Sequence, residues 1–307
     1  MSAAVLADRP FEMICRASDA DWHSERTHGI GASEAACLIG ENPWKSTIQL
    51  YAEKVGALPP PDLSDNEAVF WGTRLESVVR DVYGERTRRY IDEGGILLRS
   101  TVYPWALATL DGWTSDSELG PYWPLEVKTT GAARGDDWLD GPPRHYVVQV
   151  HWQMLVTGAP KATVACLIGG QRLVWADVER DEMLIRKLVR AGEDFWRRVQ
   201  EHDAPAPDGT QSAAKTLGAL YPDHQDEIVI LGGDLLDVAD ELELLKGSVK
   251  KCESRKVELE NQIKAALGPA LRGVLPDGRG FEWATEDRAE YTVKASKRRV
   301  LRAKAAK

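Results

Sequence analysis

The sequence lacks any close pairing of cysteines. Its four cysteines, Cys15, Cys37, Cys166 and Cys252, lie far apart, and none belongs to a CxxC pair. Structural zinc sites, iron–sulfur clusters and disulfide frameworks need several thiols at short, regular spacing, so this spacing argues against all three. Free and mostly buried thiols are therefore expected.

The sequence also lacks long apolar runs. No run approaches the roughly 20 residues that a membrane-spanning helix needs, and the opening MSAAVLADRP has neither the basic segment nor the apolar core of a signal peptide. A soluble, cytoplasmic protein with no membrane partner is expected. The fingerprint GxGxxG and internal repeats are absent too, so neither a dinucleotide site nor a repeat architecture is indicated.

Basic charge is in short supply. The 39 lysines and arginines are outnumbered by 48 aspartates and glutamates, which gives a formal net charge of -9. A general nucleic-acid binder is usually basic, so this balance disfavours that class. A metal-dependent nuclease stays possible, because its centre is acidic and it needs basic residues only along the bound strand. Basic residues cluster at Arg86, Arg88 and Arg89, at Arg197 and Arg198, and in an acid-free tail at 294–307, which is either a solvated chain end or a DNA contact.

The chain is long enough for one large core with an appendage. Residues 1–202 form the predicted main domain, and residues 211–307 form a helical region with the basic tail at its end. Between them, residues 203–210 (DAPAPDGT) predict a linker, since prolines and a glycine end the preceding helix. The main domain reads as helices, a run of strands, a helix, two strands and a helix. That order is typical of an α/β fold with a mixed central sheet flanked by helices.

Individual elements follow from caps, turns and periodicity. Ser46 with Gln49, and Ser64 with Glu67, form capping boxes that open two early helices. Apolar residues recur at helical spacing from 235 to 267 and predict an amphipathic helix, a helical hairpin or a coiled coil, followed by a short strand at 279–284. In the main domain, the predicted helices span 46–56, 64–83, 144–156 and 181–200, and the predicted strands span 96–101, 102–110, 122–129, 161–168 and 172–178.

Two acids near strand ends carry the central chemical signal. Asp111 follows one predicted strand, and Glu126 and Lys128 lie in the next as Glu-Val-Lys. Residues two apart in a strand share a face, so Glu126 and Lys128 point the same way while Val127 packs on the other side. If the two strands pair as a hairpin, Asp111 meets Glu126, and their repulsion favours a cation between them. Oxygen ligands suit Mg²⁺ or Mn²⁺, and Lys128 is then placed to orient or deprotonate the attacking water.

A surface aspartate and a surface Glu–Lys pair would give the same pattern by chance, so companion residues matter. Glu76 lies in the apolar stripe of the predicted helix 64–83, where its carboxylate needs a partner. The partner of the Glu76 carboxylate is either a metal ion or the nearby Arg80. Gln149 shares a helix face with Tyr146, either on a solvated edge or in a site.

The segment from Arg26 to Ser33 is a further companion. It contains the loop Gly29-Ile-Gly-Ala-Ser33, in which Ser33 is a favourable N-cap for a helix at 34–39. Glycines before a helix leave backbone N–H groups free to hold a phosphate, and Arg26 can add a bidentate contact. The alternative is a capped glycine turn that binds nothing.

These features recur in one fixed order along the chain. RTHGIGASEAA starts at residue 26, NPWKS at 42 and LYAEKVG at 50; WGTRLE then ends at Glu76, Asp111-Gly follows, LEVK ends at Lys128 and YVVQ ends at Gln149. Together, over roughly residues 20–200, they resemble the YqaJ-like viral recombinases, the group within the PD-(D/E)xK nuclease superfamily that includes phage lambda exonuclease. The resemblance implies a PD-(D/E)xK nuclease core, here with a helical C-terminal extension.

The resemblance also implies roles for the acidic site. Asp111 and Glu126, with the Val127 carbonyl, would bind catalytic Mg²⁺ or Mn²⁺, and Glu76 would support a metal. Two ions are implied. Lys128 would act on the water.

Other implied roles concern DNA. Gln149 would place the lysine or the scissile phosphate, and Arg26 and Ser33 would form the pocket for the 5′-terminal phosphate. Tyr146 and His151 are further candidates for DNA contact. His151 departs from the family, since the lambda enzyme has a second glutamine there.

A metal-dependent exonuclease that degrades the 5′ strand of linear duplex DNA, leaving 3′ single-stranded tails for phage-type recombination, is the function these residues favour. A trimeric ring around DNA, a single-strand annealing protein as partner and the cytoplasm of a bacterial host are further implications of the resemblance. The alternatives are an endonuclease or nickase of the same fold, or a non-catalytic DNA-binding scaffold. A non-catalytic scaffold is disfavoured because all five catalytic candidates are present, namely Glu76, Asp111, Glu126, Lys128 and Gln149.

Overall fold

The computed structural model describes residues 9–290, 292 and 299–302. These residues divide into two units, the first ending at Pro222 and the second beginning at Asp223. Most of the predicted basic tail at 294–307 lies outside the described residues. In the described part of the chain, no helix combines the length and the apolar character needed to cross a membrane.

The first unit contains both helices and strands. The helices are α1 (Trp22–Glu25), α2 (Thr47–Lys54), α3 (Glu67–Thr87), α4 (Arg144–Thr157), α5 (Glu182–Glu201) and α6 (Gln211–Leu220), with 3₁₀ segments at Arg26–His28, Ala32–Ile39 and Ala132–Trp138. The strands are β1 (Phe11–Arg16), β2 (Ile30–Gly31), β3 (Tyr90–Glu93), β4 (Ile96–Ser100), β5 (Ala106–Thr109), β6 (Gly112–Ser115), β7 (Trp123–Thr130), β8 (Lys161–Ile168) and β9 (Arg172–Glu179).

The strands of the first unit form two sheets. A five-stranded sheet has the order β3-β6-β7-β8-β9, in which β7 and β8 are parallel and the other neighbours are antiparallel. A four-stranded sheet has the order β1-β4-β5-β2, in which β2 and β5 are parallel. The prediction of mixed sheets flanked by helices is confirmed.

Helix α4 connects the parallel strands β7 and β8. Parallel neighbours need such a crossover, because a tight turn can join only antiparallel strands. The helix is deeply buried, and the indole Nε1 of Trp152 donates to the Leu107 carbonyl at 3.1 Å. Gly158 ends α4 with a φ of 72°, which a glycine adopts without a Cβ clash. This rigid helix places its polar residues against the edge of β7.

The N-cap residue agrees with the sequence at α2 and differs at α3. Ser46 Oγ accepts the Gln49 N–H at 3.3 Å, which is one half of the predicted capping box, but the Ser46 N–H donates to Ser212 Oγ and not to the Gln49 side chain. At α3 the cap is Asn66, whose Oδ1 accepts the Val69 N–H at 3.2 Å. The predicted Ser64 cap is therefore wrong, because the helix begins two residues later than predicted, after Asn66, which is itself a favourable N-cap residue.

Four short strands of the first unit escape the sequence patterns. Strands β1, β2, β3 and β6 span only 6, 2, 4 and 4 residues. Conversely, the strand predicted at 102–110 shrinks to β5. The hydroxyl of Ser100 accepts the N–H groups of Val102 at 3.3 Å and Tyr103 at 3.1 Å, which folds that stretch into a turn.

Helix α6 belongs to the first unit, beyond the predicted linker at 203–210. Ser212 on α6 accepts the Ser46 N–H at 2.9 Å and donates to Gln49 Oε1 at 2.7 Å. Ala213 and Thr216 of the same helix are buried. The unit therefore continues to Pro222, where the sequence predicted its end at 202.

The second unit is built around one long helix, α7 (Leu235–Leu267), of 33 residues. A single helix rather than a helical hairpin thus accounts for the apolar periodicity. An antiparallel pair, β10 (Arg272–Val274) and β11 (Gly280–Glu282), follows it. Strand β11 lies within the short strand predicted at 279–284.

Candidate active site

The acidic centre forms where strand β6 pairs with strand β7. Gly112 pairs with Leu125 in an antiparallel register, which brings the preceding Asp111 beside the start of the Glu-Val-Lys segment. The Asp111 Oδ2 accepts the Val127 N–H at 2.8 Å. The structure therefore brings together Asp111 and Glu126, the two acids whose meeting the sequence predicted.

Glu126 lies in the interior, with 1% of its surface exposed. Its Oε1 accepts hydrogen bonds from the Lys128 ammonium and from Gln149 Nε2, the latter at 2.5 Å. Its Oε2 accepts from Gln153 Nε2 at 2.5 Å. Both carboxylate oxygens are thereby held in place by an ammonium group and two amides, so the orientation of Glu126 is fixed by β7 and α4.

Burial and neighbouring negative charge raise the pKa values of Asp111 and Glu76. Burial, and next the Glu126 charge, raises the pKa of Asp111 well above its ordinary value. The same two causes raise the pKa of Glu76, which projects from α3. Arg80 contacts the Asp111 carbonyl at 3.1 Å and Asp81 at 3.6 Å. Three carboxyl groups thus share one site whose charge favours a bound cation.

Lys128 is charged in this arrangement. Burial alone would lower the pKa of its ammonium group, but the Glu126 and Asp111 carboxylates outweigh burial and raise it. The prediction that Lys128 orients or deprotonates the attacking water assumed a cation beside the lysine. In this structure the lysine is itself the cation that neutralises Glu126.

Two cavities open onto these residues, and both are lined by Glu76, Asp111 and Lys128. The smaller cavity has a volume of about 380 Å³ and extends to Arg26 and Ser33. The larger, of about 850 Å³, extends to aromatic and basic side chains that include Trp44, Arg134 and Tyr146. The acidic centre therefore lies where the two cavities meet.

Arg26 lies in the 3₁₀ segment before β2, and Ser33 lies in the 3₁₀ segment after it. The N-cap of that segment is Gly31, whose N–H donates to Glu34 Oε2 at 2.7 Å. The predicted Ser33 cap is wrong, because the segment begins one residue before Ser33. The Ser33 side chain is exposed at the cavity, and the Arg26 guanidinium lies 4.6 Å from the Trp22 ring centroid.

Tyr146 and His151 lie in different surroundings. Tyr146 lines the larger cavity, and the Lys128 Nζ lies 5.2 Å from its ring centroid. His151 is 3% exposed. Its Nδ1 lies 2.7 Å from the Val147 carbonyl, and its Nε2 accepts the Asp181 N–H at 3.1 Å. Its predicted DNA contact is therefore wrong, because the ring is occupied inside the protein.

Gln153 is the site residue that sequence reasoning missed. It is fully buried, and its Oε1 has no hydrogen-bond partner within the described residues. The available signal was its spacing of four residues from Gln149, which puts both amides on one face of α4. A polar ladder on a helix looked like a solvated edge, and only the packing of α4 against β7 shows otherwise.

The donor set fits a hard divalent cation. Carboxylate oxygens of Asp111, Glu126 and Glu76, with the Val127 carbonyl, are ligands of the type that Mg²⁺ and Mn²⁺ prefer. Among the described residues, no three acid, imidazole or thiol side chains stand as a ready-made metal cluster. A cation would therefore have to share Glu126 with the Lys128 ammonium group.

A mixed sheet with an acid at one strand start and Glu-x-Lys on the neighbouring strand, flanked by helices, defines a PD-(D/E)xK nuclease core. Residues 21–160 match the model of the YqaJ-like viral recombinase domain. An uncharacterized protein YqaJ of Bacillus subtilis (strain 168) is 33% identical over 260 residues, which cover 83% of this chain and 80% of that protein. The chain belongs to the YqaJ-like viral recombinase family.

Solved structures resemble part of this chain in fold. A crystal structure of an alkaline exonuclease from Laribacter hongkongensis matches with a TM-score of 0.51 at 20% identity, covering 60% of this chain and 94% of that one. A structure of the same enzyme in complex with dAMP matches with the same TM-score, identity and coverage. These likenesses establish the fold.

Proposed function

We propose that this protein is a metal-dependent exonuclease that degrades the 5′ strand of linear double-stranded DNA and leaves 3′ single-stranded tails for recombination. One observation carries the proposal. Arg26 and Ser33 line the same cavity as Asp111, Glu126 and Lys128. A site for a terminal phosphate beside a site for phosphodiester hydrolysis is what an enzyme acting from a DNA end requires.

Metal binding is the first part of the proposal. Asp111, Glu126, Glu76 and the Val127 carbonyl would hold two Mg²⁺ or Mn²⁺ ions. When bound, the ions would supply charge neutralisation at the phosphate and a more acidic water for an in-line displacement. The raised pKa values of Asp111 and Glu76 support this assignment, because such carboxyl groups gain most from a cation.

The protein's own groups would orient the reaction. Gln149 and Gln153 hold the Glu126 carboxylate from α4. Lys128 lies between Glu126 and both cavities, where its ammonium group can hold the attacking water or the scissile phosphate. If a bound cation neutralises the Glu126 charge, the pKa of Lys128 would fall, because the lowering effect of burial would then outweigh the raising effect of the carboxylates.

The two cavities would divide the substrate between them. In the smaller cavity, the Arg26 guanidinium and the Ser33 hydroxyl would bind the 5′-terminal phosphate. A structurally similar alkaline exonuclease has been solved in complex with dAMP, and a nucleotide phosphate is the group that this cavity is proposed to bind. In the larger cavity, Trp44 and Tyr146 offer rings for base stacking and Arg134 offers charge for the backbone.

The last part of the proposal concerns the oligomeric state, the protein partner and the cellular location. By its family, the protein would form a homo-oligomeric ring of three chains around duplex DNA. It would supply single strands to an annealing protein, and it would work in the cytoplasm of a bacterial host. Sedimentation of the full chain, alone and with duplex DNA, measures the first of these.

End-labelled linear duplex, with and without a 5′ phosphate, tests the activity. With Mg²⁺ we expect release of 5′ mononucleotides and a roughly 10- to 100-fold preference for phosphorylated ends, as for a charge-assisted bidentate contact. Arg26→Ala should remove the preference and leave slow cleavage. Efficient cutting of covalently closed circles at the same rate would show an endonuclease instead, and binding without cleavage in Mg²⁺ or Mn²⁺ would show a scaffold.

A further inference from the structure

Helix α7 exposes an apolar face along its whole length. None of its 33 residues is buried within the described part of the chain. A helix in water draws most of its stability from an apolar face packed against a partner. Leucines and valines along α7 that are 38–60% exposed therefore have an apolar face available for a packing partner.

The apolar residues repeat every seven positions, as the core positions a and d of a coiled coil do. The a positions are Leu235, Leu242, Val249, Lys256 and Ile263, and the d positions are Val238, Leu245, Cys252, Leu259 and Ala266. Nine of these ten are apolar or small. Lys256 is the exception, and its ammonium group is neutralised by Glu253 at 4.0 Å and Glu260 at 3.9 Å on its own helix.

The charges that flank this stripe complement those of a second α7. If two copies run parallel, Glu241 faces Lys246 of the second copy, and Arg255 faces Glu260. If they run antiparallel, Glu241 faces Arg255 and Lys246 faces Glu253. Either direction pairs opposite charges at the positions that set partner choice in coiled coils.

We propose that α7 is a homotypic coiled-coil helix that joins two copies of this chain. The proposal does not depend on the nuclease activity, since it concerns residues of the second unit alone. A self-complementary charge pattern favours a second copy over an unrelated protein, which would have no reason to match its own flanking charges.

Cys252 allows a local test on the full chain. It is exposed, whereas Cys37 and Cys166 are buried and Cys15 is half-buried. At a d position it would face the core between two copies. A short bis-maleimide should therefore yield covalent dimers, and Cys252→Ser should remove them. Absence of dimers with the native chain would overturn the proposal, including the case in which α7 binds a different protein.

Two neighbouring leucines give the matched variants. Leu245→Glu places a charge in the proposed core and should reduce Cys252 cross-linking by more than about tenfold. Leu244→Glu alters an outward position that is 74% exposed, and cross-linking should persist. Equal yields in the two variants would overturn the proposal.

Charge-reversal variants give a second test, which remains informative if Leu245→Glu unfolds α7. Glu241→Lys should weaken cross-linking without touching the apolar stripe. Adding Lys246→Glu should restore it for parallel pairing, and adding Arg255→Glu should restore it for antiparallel pairing. Failure of both to restore cross-linking would contradict a homotypic coiled coil.

Discussion

At the scale of a single residue, Lys128 has two roles. Its ammonium group neutralises Glu126, and the same group is proposed to act during cleavage. Removing it therefore affects both stability and rate. The two effects can be separated, because a bound divalent cation can replace the charge of Lys128 but not its position beside the reacting phosphate.

For Lys128→Ala we expect turnover to fall by roughly 10²-fold or more, the contribution of a positioned acid–base group. Without metal, the free energy of unfolding should fall by roughly 3 kcal/mol, as when a buried ion pair loses one partner. Adding Mg²⁺ should recover most of that loss. Thermal melts with and without Mg²⁺, beside a single-turnover assay, measure all three, and near-normal turnover would contradict the assignment.

Gln153 gives a second test at this scale. Gln153→Leu keeps the side-chain volume and removes the hydrogen bond to Glu126 Oε2. Hydrogen bonds to charged groups contribute about 1.5–3 kcal/mol, so we expect a roughly tenfold or greater fall in turnover. Stability should change little, because the variant also removes the unpartnered buried Oε1. Gln149→Leu, which removes the other amide hydrogen bond to Glu126, is the comparison within the site. An unchanged rate in Gln153→Leu would show that Glu126 is positioned without Gln153.

At the scale of an element, Arg89 ties the end of α3 to the five-stranded sheet. Its guanidinium binds both oxygens of Asp177 on β9, at 2.8 and 2.7 Å, and the Tyr83 hydroxyl at 2.7 Å. Thr163 on β8 donates to the same aspartate at 2.7 Å. In the register of the sheet, Asp177 pairs with Thr163, and Thr163 pairs with Leu125, the residue before Glu126. Because successive side chains of a strand point to opposite faces, the network lies on the face of the sheet opposite Glu126, where it serves the scaffold.

Asp177→Asn tests that network through pH. Burial alone would raise the pKa of Asp177, but hydrogen bonds from Arg89 and Thr163 outweigh it and hold the pKa below its ordinary value. Its stabilisation is therefore complete above the unfolded pKa of about 3.9 and disappears as pH falls through the lower folded value. We expect the variant to lose about 1–3 kcal/mol at pH 7 in urea unfolding and to approach the native chain in acid. A pH-independent difference would contradict this.

Elements with strong local signals could be predicted from the sequence, and elements held by distant contacts could not. Strand β8 can be predicted from its apolar run, and helix α4 can be predicted from the glycine that ends it. Strand β6 is a four-residue segment that exists because β3 and β7 pair with it. At the site, strand periodicity predicts that Glu126 and Lys128 share a face. The burial of His151 depends on packing between α4 and the start of α5, which no local pattern reveals.

At the scale of the whole molecule, the boundary between units decides which fragments fold. Prolines and glycine at 203–210 looked like a domain boundary, since they end α5. They instead lead into α6, which returns to the first unit and packs against α2. A chain break within this connection therefore removes part of the nuclease unit.

Two truncations separate these alternatives. A chain ending at Pro222 should melt close to the full-length protein and keep the proposed nuclease activity, because it retains α6. A chain ending at Ala206 loses the Ser212 hydrogen bonds to Ser46 and Gln49 and the buried Ala213. We expect its free energy of unfolding to be lower by roughly 2–4 kcal/mol. The matched intermediate is Ser212→Ala in the chain ending at Pro222, which should lose about 1 kcal/mol through its hydrogen bonds alone. Equal melting temperatures for the two truncations would show that α6 adds nothing to the first unit and would restore the boundary at 203–210.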